Sequence, residues 1–440
     1  MTAGATLVKN GTVLTMDAAD TVIDNGAVVI QEDRIAAVGT LDAVQAPLPA
    51  RVIDARGGIV MPGLVNTHTH AAMTCFRGLA DDLPLKEWLN DHIFPAEARL
   101  DRPTVHDGTL LACAEMMLSG TTCFCDMYLF ADAVAAAARQ AGMRAVVGEV
   151  LYDFPSPHYG PIEKGLAFTE ALIQQWRGDT LVRVAVEPHS PYLCSPDLLT
   201  RAHALAARHG CPLVIHVAET HQEVEDSLQR HGRTPVGHLA ALGVLDANLL
   251  ACHCVVLNPD DITLLKQHNV KVAHNPESNM KLASGVAPVP ALLKAGVCVG
   301  LGTDGCASNN NLDLFAEMGT AARLHKVTTL DPTVLDARTV LRMATIDGAA
   351  ALGLDHLTGS IEVGKKADLI VIDCDQPHLT PMYSPFSHAV YAVKASDVVL
   401  TIIDGKVVAA DGRLTTIDMD ALLASLGRIA ADIGGRNHAS

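Results

Sequence analysis

The chain has no excess of positive charge: 32 Lys and Arg stand against 49 Asp and Glu, a formal net charge of −17. That balance speaks against a nucleic-acid backbone or an anionic membrane as partner, since both attract cations. No apolar run reaches the roughly 20 residues needed to span a bilayer. Met1 to Asn10 lacks the charged-then-apolar layout of a secretory leader, so a cytoplasmic location is the expectation. There is no low-complexity tract. The 11 cysteines form no C-x-x-C pair. Cys123/Cys125 and Cys252/Cys254 sit at strand spacing within apolar runs, which predicts small buried hydrophobes in a reducing compartment rather than disulfides or thiolate ligands. No glycine-rich phosphate fingerprint follows a strand, which counts against the doubly wound, dinucleotide-binding alternative.

What is present is a long globular sequence, 440 residues and 49% hydrophobic. That suffices for one large domain, or for a large domain with a small companion. Residues 5–60 are short β-rich runs broken by turns. Residues 367–415 repeat that texture, with a buried run Ala367–Asp373 and a hairpin turning at Asp404-Gly405. Both ends therefore belong to one small β-sandwich, divided as 1–60 and 366–415. Between them, apolar runs begin near Leu64, Thr121, Arg144, Val182, Pro212, Leu249, Lys271 and Val297. Helical stretches such as Ala131–Ala141, Pro196–His209 and Pro235–Leu242 separate most of them. Eight buried strands alternating with helices predict an α/β fold, a (β/α)₈ barrel over 61–365. Residues 416–440 supply an amphipathic C-terminal helix packed outside.

In a barrel the chemistry sits at the C-terminal strand ends. The first strand ends in His68 and His70, one residue apart and so on one face. The fourth ends in Glu187-Pro188-His189, the fifth in His216-Val217-Ala218-Glu219, the sixth in His253, and the eighth in Thr303-Asp304. Ionisable groups at the same end of five apolar strands would be costly to bury without mutual compensation or a metal. Glu219, three residues after a strand-end histidine, is expected to serve the site. His221 and Glu223, further along that loop, read as surface groups.

These residues resemble the amidohydrolase superfamily, from Met61-Pro62-Gly63 and His68-Thr69-His70 through His216-x-x-Glu219 and His253 to Thr303-Asp304 and Gly364-Lys365-Lys366-Ala367-Asp368. The likeness is nearer still to deaminases acting on 5′-methylthioadenosine and S-adenosylhomocysteine. It is carried by Arg77-Gly78-x-Ala80-Asp81-Asp82-Leu83-Pro84-Leu85, Trp88-Leu89, Pro95-Ala96-Glu97, Ser278 to Gly285 and Thr303 to Asn310. The resemblance implies a metal-dependent barrel flanked by a sandwich from both termini. Two-metal members bridge their ions at the fourth strand with a carboxylated lysine or a carboxylate. Leu181 to Ser190 contains no lysine and offers Glu187 and His189 instead. One divalent ion is therefore expected on His68, His70, His216 and Asp304. It would be Zn²⁺, with Fe²⁺ also fitting imidazole and carboxylate.

The chemistry so implied is hydrolytic deamination of a purine nucleoside at C6. Glu219 would protonate the ring nitrogen, His253 and Asp304 would orient the water, and Asp304 or Glu219 would protonate the leaving ammonia. By the same resemblance Glu97 would bind the ribose hydroxyls, His189 the purine, and Trp88 the sugar or sulfur substituent. Glu149 stands where some members carry an arginine for the carboxylate of homocysteine. Repulsion between like charges there predicts a preference for uncharged methylthioadenosine or adenosine over S-adenosylhomocysteine. The rival readings are an s-triazine or guanine aminohydrolase and a catalytically dead scaffold. Relatives of this kind are commonly homo-oligomers, which is the expectation here.

Overall fold

A computed structural model describes residues 4–47, 50–83 and 87–434. Pro84 and Leu85 of the Arg77–Leu85 motif, and residues 435–440 of the expected C-terminal segment, lie outside the described residues.

Five N-terminal strands, Ala5–Leu14, Val22–Gln31, Arg34–Thr40, Ala50–Asp54 and Ile59–Pro62, share one nine-stranded sheet with Leu369–Ile372, Val398–Ile403, Lys406–Ala410 and Arg413–Leu414. The join is an antiparallel ladder in which Leu369 faces Pro62 and Ile372 faces Ile59. Strand Val398–Ile403 pairs with Lys406–Ala410 around the Asp404-Gly405 turn.

Eight parallel barrel strands follow. They are Leu64–Thr69, Thr121–Tyr128, Arg144–Leu151, the interrupted pair Val182–Val184 and Glu187–Pro188, then Leu213–Val217, Leu249–His253, Lys271–His274 and Val299–Leu301. Every residue of the second and third is buried, as expected of parallel strands covered by helices on one side and by the barrel interior on the other. A bridge between Val186 and Leu213 joins the two runs of strands. The last closure, from eighth strand to first, combines side-chain bonds with a backbone bond. Thr67 Oγ1 donates to Leu301 O (2.8 Å) and Asn66 Nδ2 to Thr303 Oγ1 (2.8 Å), while Asp304 N donates to His68 O (2.9 Å). Glycines make this approach possible. A Cβ at Gly302 would lie 2.9 Å from His68 N, and one at Gly305 would lie 3.0 Å from His70 Cβ.

The helices form where capping residues start them. Asp101, Ser195 and Asn258 each accept a backbone N–H from the first turn, with a proline at the helix start. Helix Met419–Gly434 packs on Arg102–Leu118, with Ser425 Oγ donating to Asp107 (2.5 Å). The sheet is pinned beneath the barrel by Arg144, whose guanidinium donates to both oxygens of Asp368 (2.7 and 3.0 Å), both residues being buried.

Candidate active site

The strand ends open into a cleft of about 720 Å³. His70, His189, His216, Glu219, His253 and Asp304 line its floor, and Trp88 and Glu97 line its wall. His68 lies directly beneath, fully buried. The imidazoles are close packed: ring centroids of His68 and His70 are 4.9 Å apart, those of His68 and His216 also 4.9 Å, and those of His216 and His253 5.4 Å. Asp304 Oδ1 approaches His70 Nε2 (3.1 Å) and His68 Nε2 (3.5 Å). Among the described residues, two triads have ligand atoms near enough to share one ion: His68, His70 and Asp304, and His68, His216 and His253.

The chain orients each of these groups. His216 Nδ1 is held by the carbonyl of His189 (2.8 Å) and His70 Nδ1 by that of Met127, which turns both Nε2 atoms inward. Asp304 Oδ2 accepts from Ser278 Oγ (2.6 Å) and Ser308 Oγ (2.9 Å), leaving Oδ1 for the imidazoles. His253 Nδ1 is paired with Asn279 Oδ1 (2.9 Å). Backbone strain collects here: Ala218, His253, Cys254 and Asp304 all have φ between +50° and +71°. Simple alternation along the sixth strand would send His253 out of the barrel, and the left-handed turn brings its ring back to the cleft.

Burial pushes the pKa of His68 down to about 4 and that of His216 well below the usual imidazole value. Both are neutral, the form in which histidine binds metal. Burial by itself raises the pKa of Asp304, but hydrogen bonds from His68 and His70 and the neighbouring charges of His70 and His253 outweigh it, so its carboxyl falls well below the ordinary range. His68 Nε2 is fully buried and has no hydrogen-bond partner among the described residues. A buried orphan nitrogen facing two imidazoles and a carboxylate fits a divalent cation.

Glu219 lies at the opposite edge of the cluster, its Oε2 3.9 Å from His253 Nε2 and its Oε1 3.5 Å from Ser284 Oγ. Burial raises its pKa. Burial likewise lifts Glu97 to about 7. Beside Glu97, Trp88 is buried at the start of a π-helical turn, Trp88–Ile93. The rest of the wall is apolar and aromatic, with Ile93, Phe94, Leu129 and Tyr152, and the described lining residues include no Lys or Arg.

Two expectations are overturned. Glu223 is not a surface group: its carboxylate accepts from the backbone N–H of Ala218 (3.0 Å) and Glu219 (2.7 Å). The helix His221–His231 begins at Thr220, whose hydroxyl accepts from Glu223 N, and this folds the acid back under the loop. Thr220-x-x-Glu223 is a capping-box pattern, so the signal was present in the sequence. Glu149 does not face the cleft either. It is fully buried among the helices, where it accepts from Ala131 N (2.8 Å) and pairs with His158 Nδ1 (2.8 Å). Its neighbour Val150 faces the cleft instead, so strand alternation turns Glu149 outward. Its charge therefore offers no repulsion to a bound ligand. Glu187, also buried, packs against Gly148 in the barrel interior and lies outside both ligand triads.

Fold and site together define a barrel hydrolase whose centre is a cage of imidazoles around one carboxylate. Residues 59–408 match the Amidohydrolase family, and the chain belongs to that family. It is 60% identical over 428 residues (97% of this chain, 98% of the relative) to a 5-methylthioadenosine/S-adenosylhomocysteine deaminase of Syntrophobacter fumaroxidans. It is 47% identical (98% and 99% covered) to a 5′-deoxyadenosine deaminase of Methanosarcina acetivorans. Among solved structures, an adenosine deaminase from Xanthomonas campestris with bound zinc superimposes with a TM-score of 0.95 at 41% identity, covering 98% of each chain.

Proposed function

We propose that the chain is a metal-dependent deaminase of adenine nucleosides, converting 5′-methylthioadenosine and related nucleosides to the inosine analogue and ammonia. The observation that carries this reading is one cleft holding the imidazole–Asp304 cage, the protonatable Glu219 beside it and Glu97 on the far wall. His68, His70, His216 and Asp304 would hold one divalent ion, Zn²⁺ or Fe²⁺. Such an ion supplies a water acidified to a pKa of about 7.

The remaining work falls to side chains. Glu219, kept protonatable by burial, delivers a proton to the purine ring nitrogen beside the attacked carbon. His253, fixed by Asn279, and Asp304, fixed by two serines, orient the attacking water. Asp304 or Glu219 passes a proton to the departing ammonia. Glu97 accepts from the ribose hydroxyls, His189 contacts the purine, and Trp88 packs on the sugar or the 5′ substituent. A wall of apolar and aromatic residues without Lys or Arg among the described lining favours an uncharged 5′ substituent over a homocysteine carboxylate.

The test is an ultraviolet assay of the purified chain with methylthioadenosine, S-adenosylhomocysteine, adenosine, guanine and melamine. Loss of adenine absorbance is expected, fastest with methylthioadenosine. Turnover of guanine or the triazine alone overturns the reading. Glu219→Gln is expected to keep its metal and lose most of the rate, and near wild-type turnover would remove Glu219 from proton transfer.

A further inference from the structure

The metal reading assigns Nε2 of His68, His70 and His216 to the ion, and leaves Nδ1 of each ring to be held by the protein. Backbone carbonyls hold two of them, Met127 O for His70 and His189 O for His216. His68 differs. Its Nδ1 lies 3.3 Å from Sγ of Cys252, and its Nε2 has no partner among the described residues. Both residues are fully buried, so no solvent can substitute for the sulfur.

The placement of Cys252 follows from strand register. Cys252 pairs with His216 across the fifth and sixth strands. Residues in register on neighbouring parallel strands project to the same face. The thiol therefore enters the barrel in the layer of the ligands, one strand from His216 and directly under the ring of His68. A neutral imidazole carries one N–H. If Nε2 is to present its lone pair to a cation, that hydrogen must sit on Nδ1, and the group facing Nδ1 is the sulfur.

We propose that Cys252 is a positioning residue of the metal centre. Its sulfur accepts the Nδ1 hydrogen of His68 and so fixes both the ring and the tautomer that leaves Nε2 open to a divalent cation. The inference rests on the reading of His68 as a ligand. Sulfur is a weak acceptor, yet a partner of this kind on a ligating histidine commonly affects metal affinity 10–100-fold.

The experiment measures Zn²⁺ affinity by chelator competition on the metal-stripped full-length chain, for wild type, Cys252→Ala, Cys252→Ser and His68→Ala, with thermal unfolding of each metal-free protein alongside. Cys252→Ala is expected to bind Zn²⁺ about 10–100-fold more weakly. Cys252→Ser, which keeps an acceptor, should recover most of that loss. Wild-type affinity in Cys252→Ala overturns the proposal. Equal losses in the alanine and serine variants, tracking equal losses of metal-free stability, also overturn it, because the role is then packing alone. Wild-type affinity in His68→Ala refutes the ligand reading itself, a failure separable from that of Cys252.

Discussion

Replacing Glu223 by alanine should slow the reaction although Glu223 touches neither the cage nor the cleft. Its carboxylate accepts two backbone N–H groups, from Ala218 at 3.0 Å and Glu219 at 2.7 Å. Ala218 is left-handed at φ +51°, a conformation that costs a non-glycine residue about 1–3 kcal/mol and persists only where its surroundings enforce it. Removing the carboxylate strands two buried donors, at about 1–3 kcal/mol each. Part of that cost will appear as lost stability. If the equivalent of one donor is instead recovered by letting the Glu219 backbone move, about 1.4–2.7 kcal/mol is lost from the transition state, which is a 10–100-fold fall in kcat. The assay is steady-state deamination of methylthioadenosine, with metal content measured on the same samples. Glu223→Ala should retain its metal and lose kcat more than it gains KM. Turnover within about twofold of wild type, equivalent to under 0.5 kcal/mol, would show that the loop holds Glu219 without help and would refute the reasoning.

Two further predictions concern stability. Arg144→Met strips the partner from the buried Asp368 carboxylate, and denaturant unfolding should show a loss of about 3–5 kcal/mol; an unchanged midpoint would mean that the sheet does not depend on this pin. His274 and His325 meet Nε2 to Nε2 at 3.0 Å inside the protein, and burial lowers His274 well below the usual imidazole value and His325 to about 4. Between pH 6.5 and 4 the unfolded chain takes up protons that the folded pair refuses, so stability falls as pH falls through that window, by about 3 kcal/mol for His325 alone. His325→Asn should flatten this part of the stability–pH curve, and an unaltered slope would exclude the pair as its origin.

How much of this was legible in the sequence depends on distance along the chain. The His68/His70 pair shares a face because alternation is a local property of a strand. The helices Ala131–Ala141 and Pro196–His209 run as read, since caps and apolar spacing are also local. Glu149 was legible too: it lies between Gly148 and Val150, so alternation alone turns it from the cleft that Val150 faces. Glu223 likewise has a local signal, in the Thr220-x-x-Glu223 cap.

Other features had no local signal. That Ser278 occupies Oδ2 of Asp304 beside Ser308, that Asn279 holds His253, and that Cys252 lies under His68 depend on contacts spanning 26 to 184 positions. Sequence by itself determined which residue types stand at the strand ends and, wherever regular alternation holds, which face of its strand each occupies, because period-two geometry needs no partner; His253, turned inward by its left-handed backbone, is the exception. Only barrel closure decided which nitrogen of each histidine its neighbours hold, which oxygen of Asp304 the serines occupy, and which buried carboxylates face the cleft and which brace a loop. Those depend on hydrogen-bond partners and desolvation that exist only once distant strands share one interior.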